Sequence, residues 1–232
     1  QRQMCIRDRI HNDPFWVKTQ LGWNLAAGGH KEEALEVYFK LLEEQPENGW
    51  VLAQIAWNQV RMDQLESARE NYSKALATGI HEIWIWSDCA WLHHRLGAYD
   101  QELEYLQKAQ EMGRDDDWLH YRKADAYSQL DRYDEALSEL DIAEQKGKQD
   151  IELYSLRAWN YGRQRKNEAA MEQLKKAQEL GRDDLWIINE IGWNQIQLDN
   201  YEEGRQLFER SIEQDPEAVS YTHLRAHETP EH

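Results

Sequence analysis

Tryptophan recurs along this chain at intervals of 34 residues, and this spacing constrains the fold more than any other feature of the sequence. All of the 11 tryptophans except Trp86 fall into two series that share the interval. The first series is Trp16, Trp50, Trp84, Trp118 and Trp186, and the second is Trp23, Trp57, Trp91, Trp159 and Trp193. Self-similarity at a fixed interval of this length is typical of stacked helical repeats, each of which packs mainly against its neighbours.

Aligning the chain on its tryptophans gives six consecutive repeats without insertions. They span residues 15–48, 49–82, 83–116, 117–150, 151–184 and 185–218. The eighth residue of every repeat is small, and the twentieth is Ala in four of them, which lets two helices approach closely. A bulky residue occupies the twenty-fourth position, from Tyr38 in the first repeat to Phe208 in the sixth. Each repeat therefore predicts one antiparallel helix pair, and the chain as a whole predicts an all-α fold.

The junctions between repeats carry turn and capping residues. Gly79, Gly113, Gly147 and Gly181 share one repeat position, where glycine would end the second helix in a left-handed conformation. Asn48, Asp116, Asp150 and Asp184 precede the next repeat, where they are predicted to cap its first helix. The run from Asp115 to Asp117 has the composition of a metal site, but its place at a junction favours helix capping. We therefore predict no metal site.

These residues resemble the motif of the tetratricopeptide repeat family, which has small residues at positions 8 and 20, an aromatic at 24 and a proline near the end. The segment LGWNLAAGGHKEEALEVYFKLLEEQP, residues 21–46, matches it best. The resemblance implies a right-handed α-solenoid of six helix–turn–helix repeats whose first helices line a concave groove. The family's usual tryptophan is at position 4, where only Trp86 lies here. The family's clamp for a terminal carboxylate uses Asn at a position held here by Trp23, so chaperone tails are not expected partners.

Two interpretations of the tryptophan series remain open. Positions 2 and 9 are nearly two helical turns apart and share one face of the first helix, so the indoles would form a wall ready to stack on a ligand. Alternatively, each indole packs against the neighbouring repeat and joins the repeats together. We favour the structural role, because residues that recognise an irregular ligand should differ between repeats. The same argument predicts an inter-repeat hydrogen-bond ladder of Asn24, Asn58, Asn160 and Asn194.

Variable positions on the first helix are better candidates for ligand recognition. The thirteenth position supplies Arg61, Arg95, Arg163, Gln129 and Gln197, and the fifth supplies Tyr121 and Asn189. Three arginines at one repeat position would form a positive track for carboxylates or peptide carbonyls. Pairing of these arginines with neighbouring Glu or Asp is an equally open alternative.

Composition excludes several functional classes. The net charge of −17 would repel nucleic acid and anionic membranes, so neither is an expected partner. Catalytic sequence motifs are absent, and we expect ordinary structural roles for His93, His94 and His120 and a packing role for Cys89. No enzymatic activity and no cofactor are predicted. The sparing use of cysteine fits a reducing cytoplasm.

The leading functional hypothesis is a non-catalytic scaffold that binds a peptide or protein segment in the groove. One alternative is a binder of a periodic polymer such as a glycan, since a regular ligand would suit a regular indole ladder. Another is the regulatory arm of a larger enzyme or signalling protein. Residues 1–14 and 219–232 show no repeat pattern, and MCIRDR (4–9) and VSYTHLRAHET (219–229) resemble translated sequencing adaptor, which is expected to be artefactual.

Overall fold

The computed structural model describes residues 14–215, and every regular element in that range is an α-helix. The helices are α1 (Pro14–Ala27), α2 (Lys31–Glu44), α3 (Gly49–Arg61), α4 (Leu65–Ala77), α5 (Ile83–Arg95), α6 (Tyr99–Glu111), α7 (Asp117–Gln129), α8 (Tyr133–Gln145), α9 (Ile151–Arg163), α10 (Asn167–Glu179), α11 (Leu185–Gln197) and α12 (Tyr201–Gln214). Odd-numbered helices are the first of each repeat and even-numbered helices the second. The predicted all-α repeat fold is confirmed.

The helices fall into two compact units that divide after Arg114. Unit 1 contains α1 to α6, and unit 2 contains α7 to α12. Within each unit, the two helices of a repeat pack on one another, and the second helix also packs against the first helix of the next repeat. First helices of neighbouring repeats also meet, as α3 and α5 do in unit 1 and α7 and α9 do in unit 2. Inside a unit, neighbouring repeats thus bury apolar faces against one another, as expected for stacked repeats.

The core of each helix pair is built from the small and bulky positions that the sequence singled out. Ala34, Ala68, Tyr38 and Tyr72 are buried at positions 20 and 24 of the first two repeats. A Cβ atom added to Gly22 would lie 2.7 Å from Cε1 of Tyr38, so the tyrosine ring fits only because position 8 has no side chain there. The same positions are filled by Ala and Leu in the fourth and fifth repeats.

The third repeat departs from this pattern. Glu102 stands at position 20, where four repeats have Ala, and it is fully buried. Its Oε2 lies 3.1 Å from Nδ1 of His94. The histidine therefore gives the buried carboxylate a partner, which a charged group in a core requires.

The predicted turns and caps are confirmed. The four junction glycines have φ between 83° and 110°. The side chains of Asn48, Asp116, Asp150 and Asp184 each accept a hydrogen bond from a backbone N–H three residues on, at 2.9 to 3.1 Å. A second left-handed residue, not predicted, closes the turn between the two helices of every repeat. It is Gly29, Asp63, Gly97, Asp131, Arg165 and Asp199.

Cys89 is buried at 1% exposure, as predicted, and burial raises the pKa of its thiol. Among residues 14–215, no helix has both the length and the apolar composition needed to cross a membrane. The adaptor-like segments 4–9 and 219–229 lie outside the described residues.

Candidate functional site

Among the described residues, a pocket built mainly from first helices lies in each unit, and we name these the unit 1 pocket and the unit 2 pocket. The unit 1 pocket has a volume of about 340 Å³. Its lining residues are Trp23, Ala26, Ala27, Gln54, Trp57, Arg61, Trp84 and Asp88. Three indoles from three successive repeats therefore surround one carboxyl and one guanidinium group.

The unit 2 pocket has a similar volume, about 330 Å³. Its lining residues are Tyr121, Gln129, Glu152, Ser155, Leu156, Trp159, Arg182 and Trp186. Four of them, Tyr121, Gln129, Trp159 and Trp186, are among the residues that the repeat pattern singled out. The structure thus brings two of the variable positions and two of the tryptophans together in one pocket of this unit.

The tryptophans of the two series are neither fully buried nor free of packing. Nine of the ten are half-buried, and Trp23 is exposed, with 54% of its surface accessible. Trp50 shows the packing side of this arrangement, because its ring meets that of Tyr38 edge-on at 6.1 Å between centroids. One indole can therefore pack against the protein with one part of its surface and offer another part to a ligand, so the two interpretations of the tryptophan series are compatible.

Cations of the protein cover the indoles of the unit 2 pocket. The guanidinium of Arg182 lies 4.0 Å from the ring centroid of Trp186, and that of Arg163 lies 5.4 Å from the ring centroid of Trp159. Arg182 is fixed further, because its Nη1 donates to Oγ of Ser155 and its Nε lies 3.1 Å from Oδ2 of Asp184. Such stacking is attractive because the face of an indole carries negative electrostatic potential.

The predicted arginine track is held by contacts with the preceding repeat. Nη1 of Arg61 donates to the carbonyl oxygen of Ala26 at 2.8 Å. Nη2 of Arg95 lies 2.8 Å from Oδ1 of Asp63. Nε of Arg163 donates to the hydroxyl of Tyr133 at 3.3 Å. Only Arg95 therefore pairs with a carboxylate, and each of the three connects two repeats; a role in ligand binding stays a prediction.

The remaining groove candidates differ in accessibility. Gln129 and Gln197 are exposed, whereas Asn189 is 3% exposed. Tyr121 is half-buried, and Nζ of Lys148 lies 4.4 Å from its ring centroid. Asn189 is therefore poorly placed to meet a partner directly.

The predicted asparagine ladder is wrong for three of its four members. Asn24, Asn58 and Asn194 donate to the carbonyl four residues back in their own helix, at 2.8 Å. Only Asn160 also bonds to another repeat, since its Nδ2 lies 2.8 Å from Oγ of Ser128. An asparagine side chain inside a helix can donate to the second lone pair of a carbonyl oxygen in the preceding turn, and this local bond competes with longer contacts.

Sequence reasoning missed repeat position 6, where each unit carries a largely buried acid. Burial raises the pKa of Asp88 to about 7, although the Tyr72 hydroxyl and the charge of Arg114 act in the opposite direction. Burial likewise raises the pKa of Glu190 to about 7 against the charges of Arg163 and Arg182. A signal was present in the sequence, because the two acids are 102 residues, or three repeats, apart.

The histidines take part in packing and hydrogen bonding. His93 is buried, with Nδ1 2.7 Å from the carbonyl oxygen of Cys89. His94 lies against Glu102 and stacks on Trp91 at 5.3 Å between ring centroids. His120 is buried between two carboxylates, with Nε2 2.8 Å from Oδ1 of Asp115 and Nδ1 2.5 Å from Oε2 of Glu139.

The three aspartates from Asp115 to Asp117 have different hydrogen-bond partners. Asp116 caps α7, and Oδ1 of Asp117 accepts from its neighbour's backbone N–H at 2.9 Å. Asp115 instead pairs with His120 and with Nζ of Lys146, which lies 2.7 Å away. Helix capping thus accounts for Asp116, and an ion-pair network accounts for Asp115.

Comparison with known proteins agrees with the helical-repeat fold. Two family models, both described as tetratricopeptide repeat, match residues 93–159 and 187–217. A search of curated proteins finds no match.

Three solved structures illustrate the similarity of fold. PilF of Pseudomonas aeruginosa is 15% identical with a TM-score of 0.73, and the match covers 95% of this chain and 98% of PilF. YrrB, described as a TPR protein with an unusual peptide-binding site, is 20% identical with a TM-score of 0.67, covering 78% of this chain and 95% of YrrB. MamA from Desulfovibrio magneticus RS-1 is 17% identical with a TM-score of 0.65, covering 72% and 94%.

At these identities the structural matches show the fold alone. The family models add an independent sequence match within both units. Together, the helix-pair repeats, the family-model matches and the structural neighbours support a tetratricopeptide repeat family for this chain.

Proposed function

We propose that this protein is a non-catalytic interaction scaffold that binds a peptide or protein segment along the first helices of its repeats. The observation that carries the proposal is the pair of indole-lined pockets, one in each unit, which combine aromatic faces with a few charged and polar groups. Pockets of roughly 300 Å³ and above with this composition are typical of ligand sites. A tetratricopeptide repeat is typically a non-catalytic scaffold, and proteins of this kind bind protein partners.

The chemistry of the pockets suits the side chains of a peptide. A half-buried indole offers apolar area at a low cost in conformational entropy, because it is already held by packing. Gln54 and Gln129 lie beside the indoles and offer both hydrogen-bond donors and acceptors for backbone amides. The peptide-binding site described for YrrB supports the same use of a related fold.

A periodic glycan is the less favoured ligand. Sugar rings stack on open indole faces, and a regular polymer would need an accessible indole in each successive repeat. In unit 2, Arg163 lies over Trp159 and Arg182 lies over Trp186, so a face of each ring already has a cation on it. The net charge of −17 argues in the same way against nucleic acid.

A peptide library displayed on phage, selected against the full chain, tests the proposal. Peptides so selected should bind at least roughly tenfold more weakly when Trp57 and Trp159 are both replaced by Leu, because the loss of a central aromatic contact costs more than about 1 kcal/mol. The matched control is Phe39→Leu, which alters an exposed aromatic residue on α2, away from both pockets. Equal loss in the control, or selection of glycans but no peptides on parallel arrays, would refute the proposal.

A further inference from the structure

The two units carry pockets at corresponding repeat positions, and a cationic position is among the differences between them. Adding 102, or three repeats, to Trp57, Trp84 and Asp88 gives Trp159, Trp186 and Glu190. The same operation takes Ile80 of unit 1 to Arg182 of unit 2. Unit 2 therefore holds a guanidinium group at a place where unit 1 has an aliphatic side chain.

Unit 2 shows which chemical group this arrangement of side chains accepts. The guanidinium of Arg182 stacks on Trp186 at 4.0 Å and donates to Ser155. Arg163 and Arg182 are also the two charges that lower the pKa of Glu190, so both lie within electrostatic range of that carboxyl. The chain itself thus places a cation on an indole, bonds it to a hydroxyl and to the Asp184 carboxylate, and keeps a buried acid within electrostatic range.

Unit 1 has the indoles and the acid without the stacked cation. Arg61, which corresponds to Arg163, turns its Nη1 to the carbonyl of Ala26. Within residues 14–114, no cation of the protein stacks on Trp57 or Trp84. Trp23 adds a third indole, at a position where unit 2 has Asp125, and it is the most exposed of the ten.

We propose that the unit 1 pocket binds an arginine or lysine side chain of the partner peptide, with the cation stacked on Trp84 and paired with Asp88. This inference rests on the proposed scaffold function and specifies its partner as a basic segment. Trp23 and Trp57 form the walls along which the aliphatic part of the side chain lies. The net charge of −17 favours the approach of such a segment over long distances.

The charged side chains already present in unit 1 leave the place next to Asp88 open to a cation of the ligand. Arg114 lowers the pKa of Asp88 by its charge, and its Nη1 is bonded to Oγ of Ser87 at 2.6 Å. Burial still dominates and holds the pKa of Asp88 at about 7. An incoming cation next to Asp88 would favour the ionised carboxylate and would itself be bound more tightly as a result.

The test uses a blocked Gly-Arg-Gly peptide and its citrulline counterpart, which has nearly the same shape but no charge. Indole N–H signals of the full chain are followed by NMR during titration. We expect saturable shifts of the Trp84 and Trp57 signals with the arginine peptide and at least roughly tenfold weaker binding of the citrulline peptide. Equal binding of the two peptides, or shifts confined to unit 2, would overturn the inference.

Ile80→Arg provides the matched variant, because it places in unit 1 an arginine at the position that corresponds to Arg182 in the unit 2 pocket. Its side chain should occupy the pocket from within and abolish the arginine-dependent shifts. If Ile80→Arg does not fold, two other variants test the site. Trp84→Leu removes a ring and Asp88→Asn removes a charge, and each should weaken binding of the arginine peptide by at least tenfold. Undiminished binding in both of these would refute the site.

Failure of the scaffold proposal and failure of the cation-pocket proposal give different results in these experiments. If library peptides bind but neither contain basic residues nor respond to Asp88→Asn, the cation pocket is wrong and the scaffold stands. If no peptide of any composition binds, both proposals fail.

Discussion

Replacement of Asp88 by Asn should remove a pH-dependent loss of stability. Burial penalises the charged carboxylate of Asp88 and raises its pKa from the ordinary value of 3.8 to about 7. The stability that this group contributes is therefore fully present below pH 3.8 and is lost as the pH rises through about 7. A pKa difference of about three corresponds to a change on the order of 4 kcal/mol in the free energy of unfolding.

Asparagine resembles the protonated carboxyl in shape and carries no charge at any pH. The gap in unfolding free energy between Asp88→Asn and the parent chain should therefore widen in favour of the variant between pH 4 and pH 8. Urea denaturation followed by helical circular dichroism, repeated across that range, measures the gap. The matched control is Glu104→Gln on α6, because Glu104 is exposed and its charge is already in water.

A gap that stays constant from pH 4 to pH 8 would refute the reasoning. It would mean that Tyr72 and Arg114 compensate the carboxylate fully despite its burial. Titration of the isotope-labelled Asp88 carboxyl by NMR tests the same point without unfolding the protein, because a titration midpoint near 4 would also contradict the raised pKa.

Three further predictions concern the repeat framework. Gly204→Ala should destabilise the chain by about 1 to 3 kcal/mol, since the new Cβ would lie 2.8 Å from a backbone oxygen. Gly162→Ala, whose new Cβ would have no atom nearer than 3.8 Å, should instead stabilise it by about 0.5 to 1 kcal/mol in the same denaturation assay. Glu82→Asp should raise the unfolding free energy by about 0.5 to 1 kcal/mol, because Glu82 makes no side-chain cap where four other repeats have one; an unchanged denaturation midpoint would contradict this. Amide hydrogen exchange should be faster in α12, whose buried residues are only Gly204 and Ser211, than in α8, and equal protection would be the contrary result.

The helix pairs could be predicted from the sequence because they depend on short-range, repeated constraints. Small residues at positions 8 and 20, junction glycines and capping side chains act within one repeat or at its border. Six copies reinforce one another, so an exception such as Glu102 does not obscure the pattern. The left-handed residue between the helices was missed because Asp and Arg occupy it in four repeats, and these residues do not indicate a positive φ as glycine does.

The candidate site was only partly predictable, because side-chain partners depend on distances between repeats. Arg61, Arg95 and Arg163 share a position and yet bind a carbonyl, a carboxylate and a hydroxyl respectively. A comparison of adjacent repeats also hides the relation between Asp88 and Glu190, which is visible only at an offset of three repeats. Burial, which sets the titration of these acids, is not encoded in their spacing.

The burial of Cys89 allows its thiol to report how often unit 1 opens. The chain has two cysteines, Cys5 and Cys89, so replacing Cys5 by Ser leaves one thiol, on α5 of unit 1. A thiol that is 1% exposed can be alkylated only when the helices around it part, and the rate of alkylation then measures how often unit 1 opens. With that one replacement, the thiol supplies a kinetic probe of the three repeats of unit 1 without any attached label, and a ligand held between those repeats should slow its alkylation.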